Sequence, residues 1–431
     1  MKIFLSHRLA VLQLESQILS SCVLKYFIQS AFSNNIMVNL EKISHLAKES
    51  RFDSMGPEAS VDAEKLGALG SATKHDVCAS TFSPRSPALP GICHSFTRDG
   101  RCVSLFKTLY TNYCTHQCNY CINASGCSSR GKTFSYSPEE LAKITISLYR
   151  SNYIEGLFLS SGSGRNEDTI MEKMIETARL LREKYCFQGY IHLKVLPGAS
   201  RSHIGEAMEL SDRVSVNLEA ATASFMSEIC ATKDYEIDIL QRQRYIRDLM
   251  SKINLPAGQT TQIVVGAGLE SDFEIFKRVL LEYSEIGVSR TYFSAFCPQK
   301  GTAFEGREPQ PLWREHRLYQ MDWLYRIYHF HHRELDLAFD EDGFLSNSDP
   351  KMAIARELMD SPVDPRSASY QELIRVPGIG PKSAQRIMAL RQKEGSLGKA
   401  ELASLGVRIK RASPFLKING WRDSTLEMWS S

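Results

Sequence analysis

No stretch of this sequence approaches eighteen consecutive apolar residues, so no membrane-spanning helix is expected. No tandem repeat with a recognisable consensus is present either. A secretory leader is not expected either, because His7, Arg8, Gln13 and Glu15 interrupt the mildly apolar start MKIFLSHRLAVLQLESQILSS. That start reads as an amphipathic helix or as an overlong beginning ahead of Met37. Without a leader, the eleven cysteines imply a reducing compartment, the cytoplasm. There, clustered thiols are metal ligands or catalytic groups more often than disulfides. Net charge is low, +3 over 431 residues, but unevenly placed. From Asp364 onward twelve lysines and arginines face six carboxylates, a balance of +6 that leaves −3 for everything before it. The asymmetry points to a polyanion partner for the tail alone.

What is present is ordinary globular composition, 43% hydrophobic and 23% charged, in a chain long enough for two or three domains. Residues 1–73 read as a helical extension without a chemical motif, and 79–92 as a loop rich in Ser and Pro. From Leu105 strands and helices alternate. SLFKTLY, GLFLSSG, YIHLKVLPG, RVSVNLEA, TQIVVGAG and RTYFSAF read as strands. Between them lie helices such as SPEELAKITISLYRSN, with Ser137 as N-cap and Glu140 three residues on. This spacing predicts a parallel α/β sheet, open or curled into a barrel, over residues 74–310. WREHRLYQMDWLYRIYHFHHREL is expected as one long helix whose aromatic stripe packs in a core or joins domains. Its His331 and His332 are adjacent and so point away from each other on a helix, which argues against a shared metal. A connecting helix and linker would fill 311–363, with SPVDPRS leading into a small all-α domain over 364–431.

The cysteines crowd at YCTHQCNYC, where Cys114, Cys118 and Cys121 fall within eight positions. Structural zinc takes four protein ligands, and electron-transfer iron–sulfur clusters take four cysteines. Three thiolates leave one metal position open, as chemistry requires and a structural staple does not. Cys127 lies six residues on and would close the site. The spacing resembles the signature of radical S-adenosylmethionine enzymes, with Tyr120 as the aromatic residue before the last cysteine. The resemblance implies a partial α/β barrel whose 4Fe–4S cluster is held by the three cysteines and whose fourth iron is chelated by S-adenosylmethionine. It also implies cofactor contacts at the strand ends: the turn Ser160-Ser161-Gly162 where the family carries a Gly-Gly-Glu-like sequence, Asn217 and Glu219 near the ribose, and the Gly266 turn near adenine. Reduction of the cluster would cleave the cofactor to a 5′-deoxyadenosyl radical that abstracts hydrogen from substrate. His192, Lys194 and Gln262 are further candidates for substrate or cofactor contact, or ordinary interior residues. Upstream, Cys78, Cys93 and Cys102 read either as ligands of a second iron–sulfur cluster or zinc, or as inert buried thiols.

In the tail, LIRVPGIGPKSAQRIM sets Gly378 and Gly380 about Ile379, with Pro381 opening a helix. N–H groups at that helix start can hold a phosphate, and Lys382 and Arg386 sit beside it. The stretch resembles the helix-hairpin-helix motif of DNA repair proteins, with a degenerate second half around Gly406 offering Lys410 and Arg411. The combination is similar to the radical SAM proteins assigned to DNA modification or repair. It implies a nucleic-acid partner, DNA foremost, and a reductant such as ferredoxin or flavodoxin. Two other functions stay open at this point: an RNA-modifying radical enzyme, and a non-catalytic redox-sensing DNA-binding protein.

Overall fold

Strands and helices alternate from residue 102 to residue 295, and the strands pair in sequence order. The computed structural model describes residues 92–96, 102–130, 133–392, 397–418 and 421–422. The extension expected over 1–73, and Cys78 with it, lie outside the described residues. β1 (Ile92–Phe96), which the sequence reading did not foresee, runs antiparallel to β2 (Cys102–Leu109). β2 is followed by β3 (Gly156–Ser160), β4 (Tyr190–Lys194), β5 (Arg213–Ser215), β6 (Gln259–Val265) and β7 (Arg290–Ala295). These six strands are parallel and form a curled half-barrel, the partial (β/α) barrel expected.

Parallel neighbours need crossover connections, and helices supply them. α1 (Pro138–Arg150) starts at the predicted capping box, with Ser137 and Glu140 bonding reciprocally at 3.2 Å. α2 (Glu167–Arg179) is capped by Asn166, α3 (Arg201–Leu210) by Ser200, and α4 (Ala223–Ile229) by Thr222. α5 (Gln241–Leu249) and α6 (Asp272–Leu281) complete the set. Leu157, Leu159, Ile191, Leu193 and Val214 are fully buried at alternate strand positions, the pattern of a sheet covered by helices. The other face carries a different set. Register places Lys107, Phe158, His192 and Arg213 abreast across β2 to β5. The His192 ring meets the Phe158 ring edge-on, with centroids 4.4 Å apart, and Lys107 Nζ stands 5.7 Å from the same Phe158 centroid.

Two compact units divide the described chain. One runs to Val216 and adds Glu236–Thr260 and Lys300–Thr302; the other holds Asn217–Tyr235, Thr261–Gln299 and Ala303 onward. In the second, the single long helix expected over 313–335 is broken. α7 (Leu312–Arg326) ends at a turn where His329 takes φ +54°, and Phe330, 2% exposed, is tucked inward. α8 (His332–Asp336) then restarts with His331 as N-cap, in a capping box with Glu334. His331 thus caps the helix instead of sitting within it. Its ring lies tilted against that of His332 with centroids 4.0 Å apart, not pointing away as helical spacing implied.

Beyond them α9 (Pro350–Leu358), α10 (Tyr370–Arg375), α11 (Pro381–Arg391), α12 (Lys399–Ser404) and α13 (Ile409–Ala412) share one core. Leu373, Ile374, Val376, Ile379, Ala384, Ile387, Leu402 and Phe415 close it, and Ala355 of α9 belongs to it. The segment read as a linker is tied down there. Val363 donates to Phe415 O at 2.8 Å and accepts from Lys417 N at 2.9 Å. A chain cut at Asp360 would therefore strip α9 of its apolar cover.

Candidate functional site

The cysteine loop follows β2 directly, at the strand's C-terminal end. Consecutive turns hold it: Cys121 N–H donates to Cys118 O at 3.0 Å, Ala124 N–H to Cys121 O at 3.1 Å and Ser125 N–H to His116 O at 3.0 Å. Cys118 is buried, while Cys114 and Cys121 are half-buried. A parallel bridge ties Cys114 to Gly164, and Cys114 Sγ lies 3.3 Å from Ser163 Oγ. Arg130 braces the strand exit by donating to Cys114 O at 3.3 Å and Asn112 O at 3.1 Å, its guanidinium 5.3 Å from the Tyr113 ring centroid. Sequence reading missed Arg130 and Ser163, which carry no motif and act only through this geometry. Tyr120 sits half-buried within the loop.

Among the described residues no three metal-ligating side chains converge on a single ion. A cubane does not ask that of them, because each thiolate takes a different iron. The donor set, three thiols on one turn-built loop at a strand end, fits such a cluster. Cys127 is buried and engaged elsewhere, its Sγ 3.4 Å from Ser129 Oγ. Upstream, the β1–β2 ladder pairs Cys93 with Leu105 and Cys102 with Phe96.

Next to the loop, β3 ends in the predicted turn. Ser160 is buried, its carbonyl accepting from Tyr110 N–H at 2.7 Å, and Ser161 Oγ accepts from Thr111 N–H at 3.3 Å. Gly162 donates to Thr111 O at 2.8 Å. A Cβ at Gly162 would stand 2.5 Å from Tyr113 O, so only glycine lets this turn lie against the backbone that leads into Cys114. Further round the same unit, His192 Nε2 lies 2.9 Å from Ser215 Oγ. Burial, with Arg213 and Lys194 beside it, drives the His192 pKa well below the usual value and keeps the ring neutral. Lys194 ends β4 and is buried.

The remaining predicted contacts lie in the second unit. β5 stops at Ser215, so Asn217 and Glu219 stand just past a strand end rather than within it. Glu219 adopts φ +64°, a left-handed conformation uncommon for a side chain of its size, and is held by a bridge to Ile263. Its carboxylate accepts from Asn217 Nδ2 at 3.2 Å. Gln262 is buried in β6, its carbonyl accepting Glu219 N–H at 2.9 Å. After β6, Gly266 has φ +75°, and a Cβ there would meet Arg314 Nη1 and Gln310 at 2.6 Å. Arg307 donates to Ala267 O at 2.7 Å and Arg314 to Glu270 O at 2.6 Å, so two arginines that no motif announced shape the turn.

This unit also buries carboxyls. Glu315 accepts Ala295 N–H at 2.8 Å, and burial pushes its pKa up to about 7. Between the ordinary carboxyl range and pH 7 the folded chain therefore holds a proton the unfolded chain has released, so stability falls as pH rises through that window. Glu315→Gln keeps an acceptor and removes the ionisation. Its stability should exceed that of the parent by more at pH 8 than at pH 5, a difference on the order of 3 kcal/mol that melting curves at the two pH values would report. Equal shifts at both pH values would show that Glu315 does not titrate there.

In the C-terminal core, Gly378 lies in the hairpin between α10 and α11 with φ +86°, and Gly406 adopts φ +90° before α13. Gly380 is the N-cap of α11, has no side chain to cap it, and precedes Pro381. The first N–H groups of α11 thus have no side-chain acceptor from the cap, and Lys382 beside them is exposed. Arg386 is exposed, its Nη1 3.5 Å from Leu405 O. Arg411, read as a phosphate contact, is ion-paired with Asp349 instead, while Lys410 is exposed.

Residues 108–278 match the Radical SAM superfamily, and residues 360–402 match the helix-hairpin-helix motif. No curated protein sequence matches the chain. Solved structures with similar folds include methylornithine synthase (PylB), at 13% identity over 67% of this chain and 69% of that one, with a TM-score of 0.42. HydG, a maturase of FeFe-hydrogenase, matches at 9% identity over 70% of this chain and 64% of that one, with a TM-score of 0.41. SuiB of Streptococcus suis matches at 13% identity over 62% and 54%, with a TM-score of 0.36. The chain thus spans less than two thirds of the length of the last two.

Proposed function

We propose that this chain, an enzyme of the radical SAM class by its domain over residues 108–278, acts on DNA held by its helix-hairpin-helix segment. The observation that carries the DNA reading is that segment itself, with the open N-terminus of α11 in a region of net charge +6. The family implies a 4Fe–4S cluster and S-adenosylmethionine. In this reading Cys114, Cys118 and Cys121 hold three irons, leaving the fourth to the cofactor. When bound, the pair supplies a 5′-deoxyadenosyl radical able to abstract hydrogen.

The chain's own residues do the positioning. Gly162 lets the β3 turn lie against Tyr113, and the backbone of the Ser160–Ser161–Gly162 turn would meet the cofactor's amino group. Asn217 and Glu219 would meet its ribose, and the Gly266 turn its adenine. Neutral His192 contributes a polar interior group without adding charge. A stacked base in a duplex cannot enter a barrel, so the substrate base would be single-stranded or flipped. A reductant protein, ferredoxin or flavodoxin, would supply the electron in the cytoplasm. Among the described residues no helix is long and apolar enough to cross a membrane.

The test is anaerobic reconstitution, reduction with dithionite and chromatography for 5′-deoxyadenosine, with fluorescence anisotropy on DNA and RNA oligonucleotides in parallel. DNA affinity that falls steeply with salt and varies little with sequence is expected. Lys382→Ala should flatten the salt slope by about one unit. Tighter binding of RNA would reassign the substrate. Bound iron without cofactor cleavage would make the protein a redox sensor.

A further inference from the structure

An anion-binding hairpin must turn its carbonyls away from the anion, since a carbonyl oxygen facing a phosphate is repulsive. Three carbonyls line the turn at Gly378, Ile379 and Gly380, and each has an internal donor. Gly378 O accepts from Arg408 N–H at 2.9 Å, and Gly380 O from Ala384 N–H at 2.9 Å. The middle one, Ile379 O, accepts from the Lys351 ammonium at 2.6 Å. Lys351 lies on α9, outside the motif, and is 7% exposed. Its Nζ stands 4.5 Å from the Tyr328 ring centroid, and the Tyr328 hydroxyl lies 3.2 Å from where a Cβ on Gly380 would be. Around this pair are Arg375, bonded to Glu334 at 2.5 and 2.7 Å, and Arg411, paired with Asp349.

We propose that Lys351 is a positioning residue for nucleic-acid binding: its ammonium draws the Ile379 carbonyl inward and places a positive charge behind the loop that receives the phosphate. The inference rests on the reading of the hairpin as a DNA-binding element. A buried ammonium is an expensive way to satisfy one carbonyl, since burial disfavours the charged form. Glutamine could make the same hydrogen bond without that cost. What glutamine cannot supply is charge, and charge behind a phosphate site is what the site can use.

The two effects separate with pH. Burial, with Arg375 adding to it, lowers the Lys351 pKa well below its ordinary value. The folded chain therefore holds fewer protons than the unfolded chain in that window, so stability rises as pH rises. The positive charge behind the loop is lost over the same range, so phosphate affinity falls. A lysine kept for stability alone would leave affinity unmoved or make both rise together. Of the neighbours, Arg375, Arg411, Glu334, Asp349 and Tyr328 belong to types that ordinarily hold one charge state from pH 6 to pH 9. His331, which faces Glu334, is the same in parent and variant and cancels in the comparison.

The experiment uses the full chain and a fluorescent DNA duplex at fixed salt, at steps from pH 6 to pH 9, with melting temperatures in parallel. The parent should lose affinity as pH rises while its melting temperature climbs. Lys351→Gln should bind about five- to tenfold more weakly at the acid end of the series, where the parent's Lys351 is charged, and lose that pH dependence. Lys351→Met, which also orphans the carbonyl, should be weaker still and less stable. If Lys351→Gln binds as the parent does across the range, the positioning role is wrong while the DNA reading stands. If the parent does not bind, or binds no better than Gly378→Ala, the DNA reading fails and takes this inference with it.

Discussion

Alanine at Cys118 is expected to remove the reconstituted iron and, with it, all detectable 5′-deoxyadenosine. The substitution leaves the backbone hydrogen bonds of the loop in place. The loop's turns run through backbone groups, Cys121 N–H to Cys118 O and Ala124 N–H to Cys121 O, which alanine keeps. What disappears is the buried thiolate of the three, leaving two donors for a cluster that needs one on each of three irons. Cys127→Ala provides the contrast. Its sulfur is buried against Ser129 and takes no part in the proposed ligand set, so iron, sulfide and cofactor cleavage should match the parent. Iron and sulfide analysis, the absorption spectrum and single-turnover chromatography read both variants. Unchanged iron and cleavage in Cys118→Ala would remove the loop from the metal site, and loss in Cys127→Ala alone would move the ligand set.

The barrel was legible because its signals are local and repeated. Apolar runs bounded by turns gave strands, and Ser137 with Glu140 gave a helix start that the geometry reproduces. The cysteine loop stood out because the spacing of Cys114, Cys118 and Cys121 is itself a sequence property. What escaped was everything built by partners distant in sequence. Arg314 meets the Gly266 turn from 48 positions away, and no periodicity announces that. The long aromatic helix was misread because its pattern stays apolar through Tyr328 and Phe330, while the break is made by one histidine in a left-handed conformation. The linker was misread for a related reason: SPVDPRS has linker composition, yet Val363 pairs with Phe415 and Lys417 on both sides.

Gly378→Ala is expected to weaken DNA binding more than any single charge removal in the hairpin, and Gly380→Ala to do little. Sequence alone makes the two glycines equivalent, or favours Gly380 because it adjoins the helix start. The backbone decides otherwise. Gly380 has φ −102°, open to any residue, and a Cβ there meets only the Tyr328 hydroxyl at 3.2 Å. Gly378 has φ +86°, where an L side chain is strained by about 1–2 kcal/mol, and its Cβ would stand 2.6 Å from Arg408 O. That oxygen is backbone and cannot swing aside. To relieve the clash the first hairpin must move off the second, breaking the bond from Arg408 N–H to Gly378 O. The N–H groups of α11 then lose their fixed direction toward the phosphate. A loss of about tenfold in affinity corresponds to about 1.4 kcal/mol, within reach of the strain alone. Gly380→Ala should stay within about twofold in affinity, because its backbone angles are open to alanine; the poorer N-cap that alanine makes, about 1 kcal/mol, falls on folding stability instead. Anisotropy titrations of both variants against one duplex at one salt concentration make the comparison, with melting curves to show that each chain is folded. Equal losses, or a larger loss at Gly380, would mean that the hairpin receiving the phosphate is not shaped as these dihedral angles require.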